Sequence, residues 1–331
     1  VRIIFRTEGN HKQGMGDLYG SLALADECVR NGDEVLFVIS GGEAAGPTIA
    51  DRGYRFHAVE SLDGERKLTR SFHPDVIIVN KLDNPPDYVT ALKEMAAFVV
   101  TVDDAGEGAK RADLNVNALY PIAGAITGPE YLMLREEFQA LRHRDKRIGE
   151  TIAELLITQG GSDTYGFTPR IVRALEAMSR CPHCTVVLGP AFRHDTELRE
   201  ALETSTLDVT VVRNARNMAE LLWQADLAIT AGGLTMFELA AVGTPAIVIC
   251  GELFEVPTAV RLERAGAVRS LGFGGKLDYG QVSVAVDQLA ADHEARRRMS
   301  ARGKELVDGK GCERIVRLIR ERVSALGVCP S

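Results

Sequence analysis

Short runs rich in Val and Ile, each too brief for a helix, recur along this chain and alternate with segments of helical period. A parallel sheet covered by helices on both faces buries such strands on both sides, so the pattern restricts the chain to α/β architectures. In the first half the runs are Ile3 to Phe5, Val35 to Ile39, Val76 to Val79 and Phe98 to Val102. The second half repeats the scheme with Leu155 to Thr158, Val186 to Leu188, Val209 to Val212, Leu227 to Thr230 and Ala246 to Ile249. The reading is two doubly wound, Rossmann-like lobes over 1–147 and 152–311, divided within the charged stretch Phe138 to Glu150, which lacks sheet-like runs. The 331 residues, 45% of them hydrophobic, suffice for two such cores. The helical segment 312–326 is a candidate to pack back on the first lobe.

Charge narrows the partners. The net charge is −7, and Lys and Arg are scattered or paired with acids, so no nucleic-acid footprint is built. Arg296-Arg297-Arg298 reads as the solvated face of a late helix. No run approaches the roughly 18 apolar residues of a membrane span, and the chain begins on a strand-like Arg2-Ile3-Ile4-Phe5, so a cytoplasmic location is expected. Cys181-Pro182-His183-Cys184 has the spelling of a thiol redox motif. That motif needs a strand before it and a helix after it; here the order is reversed, and the segment reads as a loop. Zinc would require a second ligand pair, and none stands at suitable spacing.

Ligands of open parallel sheets bind beyond the carboxyl ends of the strands, so the strand-to-helix loops carry the function. With two lobes, the active site is expected in the cleft between them, one lobe holding a nucleotide and the other a second reactant. Gly14-Met15-Gly16-Asp17 follows the first strand and opens a helix, a setting that suits close approach to an anion. The dinucleotide fingerprint is not met, because the second strand ends in Ser40-Gly41-Gly42 without the acid that ribose recognition needs. Asp17 reads equally as an N-cap of the helix. In the second lobe, Gln159-Gly160-Gly161-Ser162-Asp163 combines free N–H groups and a hydroxyl near a helix start, a pocket suited to diphosphate; a turn capped by Asp163 is the alternative. Ala231-Gly232-Gly233-Leu234-Thr235 leads into a helix that also carries Glu238, one turn beyond Thr235, and a carboxylate there can chelate the vicinal hydroxyls of ribose.

Taken together, these segments resemble the nucleotide-sugar hydrolase of the pseudaminic-acid pathway and its spore-coat-polysaccharide relatives. More distantly they resemble the N-acetylglucosaminyltransferase that completes the peptidoglycan lipid precursor. The resemblance rests on Gly14-Met15-Gly16, Asp103-Asp104 with Arg111 to Asn117, Gly128-Pro129-Glu130-Tyr131 through Phe138, Gly160 to Asp163, Ala231 to Thr235 with Glu238, Gly243-Thr244-Pro245, and Asp308 to Gly311. It implies the two-lobed glycosyltransferase-B fold, with a UDP-sugar as substrate rather than cofactor, and no bound metal. By position, Gly161 and Ser162 would meet the diphosphate, Thr235 would assist, and Glu238 would hold the ribose.

The chemistry departs from that pattern. The hydrolases read Gly-x-Gly-His-x-x-Arg, whereas Asp17 and Gly20 stand at the His and Arg positions. The Asn-Gln pair that often follows the ninth strand is replaced by Glu252-Leu253-Phe254-Glu255. The leading expectation is an inverting, metal-independent transferase of surface-glycan biosynthesis with Asp17 as candidate general base. Hydrolysis, with water as acceptor, and a non-catalytic nucleotide-sugar binding protein are the alternatives. His11 and Lys12 read as an exposed loop pair, and Asp103 and Asp104 as a cap and turn rather than a metal site.

Overall fold

A computed structural model describes residues 1–8, 16–40 and 45–327. The chain divides into two compact units, Val1–Arg135 with Gly309–Ser331, and Glu136–Asp308. The first unit alternates β1 (Arg2–Thr7), α1 (Gly16–Arg30), β2 (Glu34–Ile39), α2 (Ala45–Asp51), β3 (Phe56–Ala58), α3 (Leu62–Phe72), β4 (Val76–Asn80), α4 (Pro86–Lys93) and β5 (Phe98–Val102). Short strands β6 (Leu114–Asn117) and β7 (Ile126–Thr127) complete it. The sheet order is β3-β2-β1-β4-β5-β6-β7, parallel throughout.

Alternating side chains supply the two faces. Ile3 and Phe5 join one core with Leu18, Leu22 and Phe37, while Ile4 joins the other with Leu36, Val38, Ile77 and Val79. Every residue of β4 and β5 is buried, which is why these strands read as continuous apolar runs.

The second unit opens on α5 (Glu136–Arg142) and β8 (Glu154–Thr158). It continues through α6 (Phe167–Leu175), β9 (His183–Leu188), α7 (Asp195–Glu203), β10 (Val209–Arg213), α8 (Met218–Gln224), β11 (Leu227–Thr230), α9 (Leu234–Val242) and β12 (Ala246–Cys250). It ends with α10 (Val256–Arg264), β13 (Arg269–Phe273), α11 (Gly280–Ala291) and α12 (His293–Leu306). Its sheet order is β10-β9-β8-β11-β12-β13, again all parallel. The final helix, α13 (Gly311–Ala325), belongs to the first unit, where Cys312, Ile315, Val316, Ile319 and Val323 enter the core shared with α1.

Three details differ from the sequence reading. The division falls between Arg135 and Glu136, ahead of the stretch Phe138 to Glu150, because α5 buries Phe138 and Leu141 and packs on α8 and α9. The return crossing falls at Asp308 and Gly309 rather than at 311. Arg296 is not on a solvated face but wholly buried. Its guanidinium donates to the carbonyls of Leu289 and Ala290 at the end of α11, and to those of Gly149 (2.6 Å) and Glu150 (2.9 Å). The charge offsets the negative end of α11 and closes carbonyls that a helix end leaves open. Among the described residues, no helix is long and apolar enough to cross a membrane.

Candidate active site

In each sheet the chain runs outward from one central strand and then returns to its other side, between β1 and β4 in the first unit and between β8 and β11 in the second. The carboxyl edge at such a switch is where loops part and a ligand can enter. In the first unit that edge holds a cavity of about 510 Å³ lined by Glu8, Asp17, Lys81, Leu82, Asp83, Asp103, Leu119 and Tyr120. Glu8 follows β1, Lys81 to Asp83 follow β4, Asp103 follows β5, and Leu119 and Tyr120 follow β6.

Asp17 lies in the first turn of α1, inside the helix rather than ahead of it at the cap. Its place is fixed by Asn80 at the end of β4, whose Nδ2 donates to the Asp17 carbonyl (2.8 Å) and to Ser21 Oγ (3.1 Å). Burial, and then the carboxylates of Asp103 and Glu8, push the Asp17 carboxyl up to about 7. Lys81 does not neutralise the group alone, since its ammonium is committed to Glu8 at 2.7 Å. Gly14, His11 and Lys12 lie outside the described residues. Gly16 is the first residue of α1. Gly20 is buried, and a Cβ there would stand 3.0 Å from Met133 Cε and 3.6 Å from Asn80 Nδ2, so α1 is closely seated at this position.

Asp103, read from sequence as part of a cap and turn, does more. It adopts a left-handed φ of 51° and is 8% exposed. Its Oδ1 accepts from the backbone N–H groups of Ala118 (2.8 Å) and Leu119 (3.2 Å), and burial pushes its carboxyl up to about 6. Asp104 is a turn residue as expected: it accepts from Gly106 N (2.8 Å) and Asn84 Nδ2 (2.8 Å). The sequence signal for Asp103 was its position directly after a buried strand, the same signal that marked the glycine loops.

In the second unit the two glycine loops leave neighbouring strands, with Thr158 of β8 in register with Thr230 of β11. Gly160 has φ 73°, which favours glycine, and neither Gly160 nor Gly161 has an atom within 4 Å of where a Cβ would stand. The turn is braced from the loop after β9: Ala191 N donates to Gly161 O (2.9 Å), and a Cβ on Gly189 would lie 2.4 Å from that oxygen. Ser162 Oγ is 3.1 Å from Thr164 Oγ1.

A helix follows this loop, as the sequence suggested, but not immediately. Thr164, Tyr165 and Gly166 intervene, and Asp163 accepts the first-turn N–H groups of Phe167 and Thr168, both at 2.8 Å. The amides of α6 are therefore used by the protein's own carboxylate, and the anion-facing donors of this segment are those of the loop.

The other loop reaches α9 through Gly232 and Gly233. A Cβ on Gly232 would stand 2.8 Å from Glu255 Cβ and 2.9 Å from Cys250 Sγ, so this loop lies hard against the end of β12. Thr235 is partly exposed, and Glu238, one turn along the same helix, is 3% exposed. The segment that replaces the Asn-Gln pair closes on itself. Glu255 Oε2 accepts from Gly251 N (2.8 Å) and Glu252 N (3.2 Å), and the Glu252 side chain caps the short turn Leu253–Glu255.

Residues 166–253 match the family model for the glycosyltransferase family 28 C-terminal domain. That interval contains Gly232, Gly233, Thr235 and Glu238. The chain is 29% identical over 271 residues to an uncharacterised protein of Methanocaldococcus jannaschii, covering 75% of this chain but only 55% of that protein. It is 25% identical over 261 residues to the spore coat polysaccharide biosynthesis protein SpsG of Bacillus subtilis, covering 75% of this chain and 76% of that one. Among solved structures it is similar to MurG of Acinetobacter baumannii, with TM-score 0.71 at 13% identity over 97% of this chain and 100% of that one. It is also similar to a UDP-GlcNAc 2-epimerase of Neisseria meningitidis bound to UDP-GlcNAc, with TM-score 0.68 at 11% identity over 97% and 100%. The fold is thus that of the glycosyltransferase-B proteins, and the chain is distantly related to SpsG.

Proposed function

We propose that the protein is a nucleotide-sugar-dependent glycosyltransferase of surface-glycan biosynthesis that breaks the C1–O bond of a UDP-linked sugar. In this reading the second unit grips the donor. Backbone N–H groups of Gly160, Gly161 and Gly232 to Thr235, with the Ser162 hydroxyl, meet the diphosphate, and Glu238 takes the ribose hydroxyls. The family match over 166–253, which includes the 232–238 segment, supports the donor role. The neighbour bound to UDP-GlcNAc supports a UDP-sugar as substrate, and the spore-coat relative supports a place in polysaccharide biosynthesis.

The observation that carries the chemistry is Asp17, a carboxyl pushed up to about 7 by burial and by Asp103 and Glu8, on the wall of a cavity at the switch point of the first sheet. A base of that strength is deprotonated in part at neutral pH yet binds a proton readily. Asp17 removes the proton of an acceptor hydroxyl as its oxygen attacks C1; the C1–O bond breaks, its electron pair leaves on the nucleoside diphosphate, and the anomeric centre inverts. Donors in the glycine loops stabilise the departing charge.

The test is turnover of UDP-sugars by the wild type and by Asp17→Asn, with sugar products resolved by chromatography. Transfer to a hydroxyl acceptor, abolished in the variant, supports the proposal. Release of free sugar alone assigns the protein to hydrolysis, and equal turnover by both proteins removes Asp17 from the chemistry.

A further inference from the structure

The Cys181-Pro182-His183-Cys184 segment lacks the element order of a redox enzyme, yet its geometry is not that of an idle loop. Cys181 lies ahead of β9 and Cys184 is the second residue of that strand, so the intervening turn folds the two side chains together, with their sulfurs 3.6 Å apart. Cys184 is fully buried and its thiol donates towards Pro182 O (3.4 Å), whereas Cys181 is partly exposed. Cys181 opens onto a cavity of about 430 Å³ whose walls include Arg180, Met178, His183 and Val286. The other cysteines among the described residues, Cys28, Cys250 and Cys312, are each buried.

From this juxtaposition we propose that Cys181 and Cys184 form a dithiol site that reacts with small disulfides of the glutathione class and closes an intrachain disulfide. The accessible Cys181 thiolate attacks one sulfur of the small disulfide, giving a mixed disulfide and releasing one thiolate. The Cys184 thiol, giving up its proton, then attacks the Cys181 sulfur, and the second small thiol leaves. The pair is oxidised by two electrons and the small disulfide is reduced to two thiols. Arg180 provides a guanidinium on the cavity wall for a peptide carboxylate of the incoming disulfide. Contact with the Cys184 thiol lowers the Cys181 thiol from its ordinary value, which favours Cys181 as the attacking sulfur, while Cys184 is raised. His183 is held outside the exchange by Glu154 (2.9 Å) and Thr210 (2.9 Å).

The experiment equilibrates the full chain with graded ratios of oxidised to reduced glutathione, quenches in acid, alkylates after denaturation and maps peptides by mass. Cys181 and Cys184 are expected to lose alkylation together as the ratio rises, with Cys28, Cys250 and Cys312 alkylated throughout. Cys184→Ser is expected to keep one glutathionyl group on Cys181, and Cys181→Ser to gain none on Cys184. Full alkylation of both wild-type cysteines at every ratio overturns the proposal, as does an adduct carried by Cys184 but not Cys181. The wild-type measurement decides even if a variant fails to fold.

Discussion

The buried carboxylate of Asp103 lines the same cavity as Asp17, and its charge is, after burial, the largest reason that Asp17 holds its proton up to about pH 7. Asp103→Asn removes that charge and so lowers the Asp17 value. The acid limb of the turnover profile is expected to move to lower pH in this variant, against a background set by Glu8, Lys81, Asp83 and Tyr120 on the same walls. The Oδ1 of Asn can still accept from Ala118 and Leu119, so the fold should be retained while the limb moves. A lower kcat with an unmoved acid limb would leave Asp103 a purely structural residue.

Asp17 itself links activity to stability in opposite senses. Its folded value, about 7, lies above the ordinary 3.8, so the folded chain binds the proton more tightly than the unfolded one. That contribution is fully present below about pH 4 and is lost as pH rises through about 7. Wild-type turnover should rise over the upper part of the same window. Asp17→Asn should lower kcat by about 10²–10⁴-fold while stabilising the chain at pH 8 by on the order of 2 kcal/mol. Denaturant melts at pH 5 and pH 8 check the sign: the variant's advantage must be larger at pH 8.

Gly189 is a close-packing position rather than a flexible one. A Cβ would stand 2.4 to 2.6 Å from backbone atoms of Gly160 and Gly161. Gly189→Ala should therefore push the glycine loop out of place, destabilising the chain by about 1–3 kcal/mol and weakening UDP binding several-fold in titration. Unchanged affinity would detach this loop from the donor.

Arg296→Met keeps an unbranched apolar stem but leaves the carbonyls of Gly149, Glu150, Leu289 and Ala290 without their shared donor. A loss of about 2–4 kcal/mol is expected in thermal or denaturant unfolding. Arg297→Met, on an exposed side chain paired with Glu294, should be near neutral.

That contrast shows why part of the fold was hidden in the residues. The three arginines look alike in sequence, yet the helical turn of about 100° per residue sends Arg296 inward and its neighbours outward. Buried strands such as Val76–Asn80 were plain because both faces are apolar; β3 and β13 were not, being partly exposed and lacking a Val and Ile run. The glycine loops were visible as strand-to-helix punctuation. The place of Asp103 beside Asp17 was not, since it depends on the order β1-β4-β5, which only the assembled sheet sets. Likewise the segment Gly160 to Asp163 could be weighed from sequence as a diphosphate pocket or as a turn capped by Asp163, and the bonds to Phe167 and Thr168 give Asp163 a capping role.

Calorimetric titration of the full chain with UDP, CDP, GDP and dTDP tests the central claim most directly. Saturable binding is predicted, tightest for UDP, and weakened in Glu238→Ala and Gly189→Ala but not in Asp17→Asn. Failure of all four nucleotides to bind would contradict the assignment of Gly160 to Ser162, Thr235 and Glu238 as a nucleotide-sugar grip.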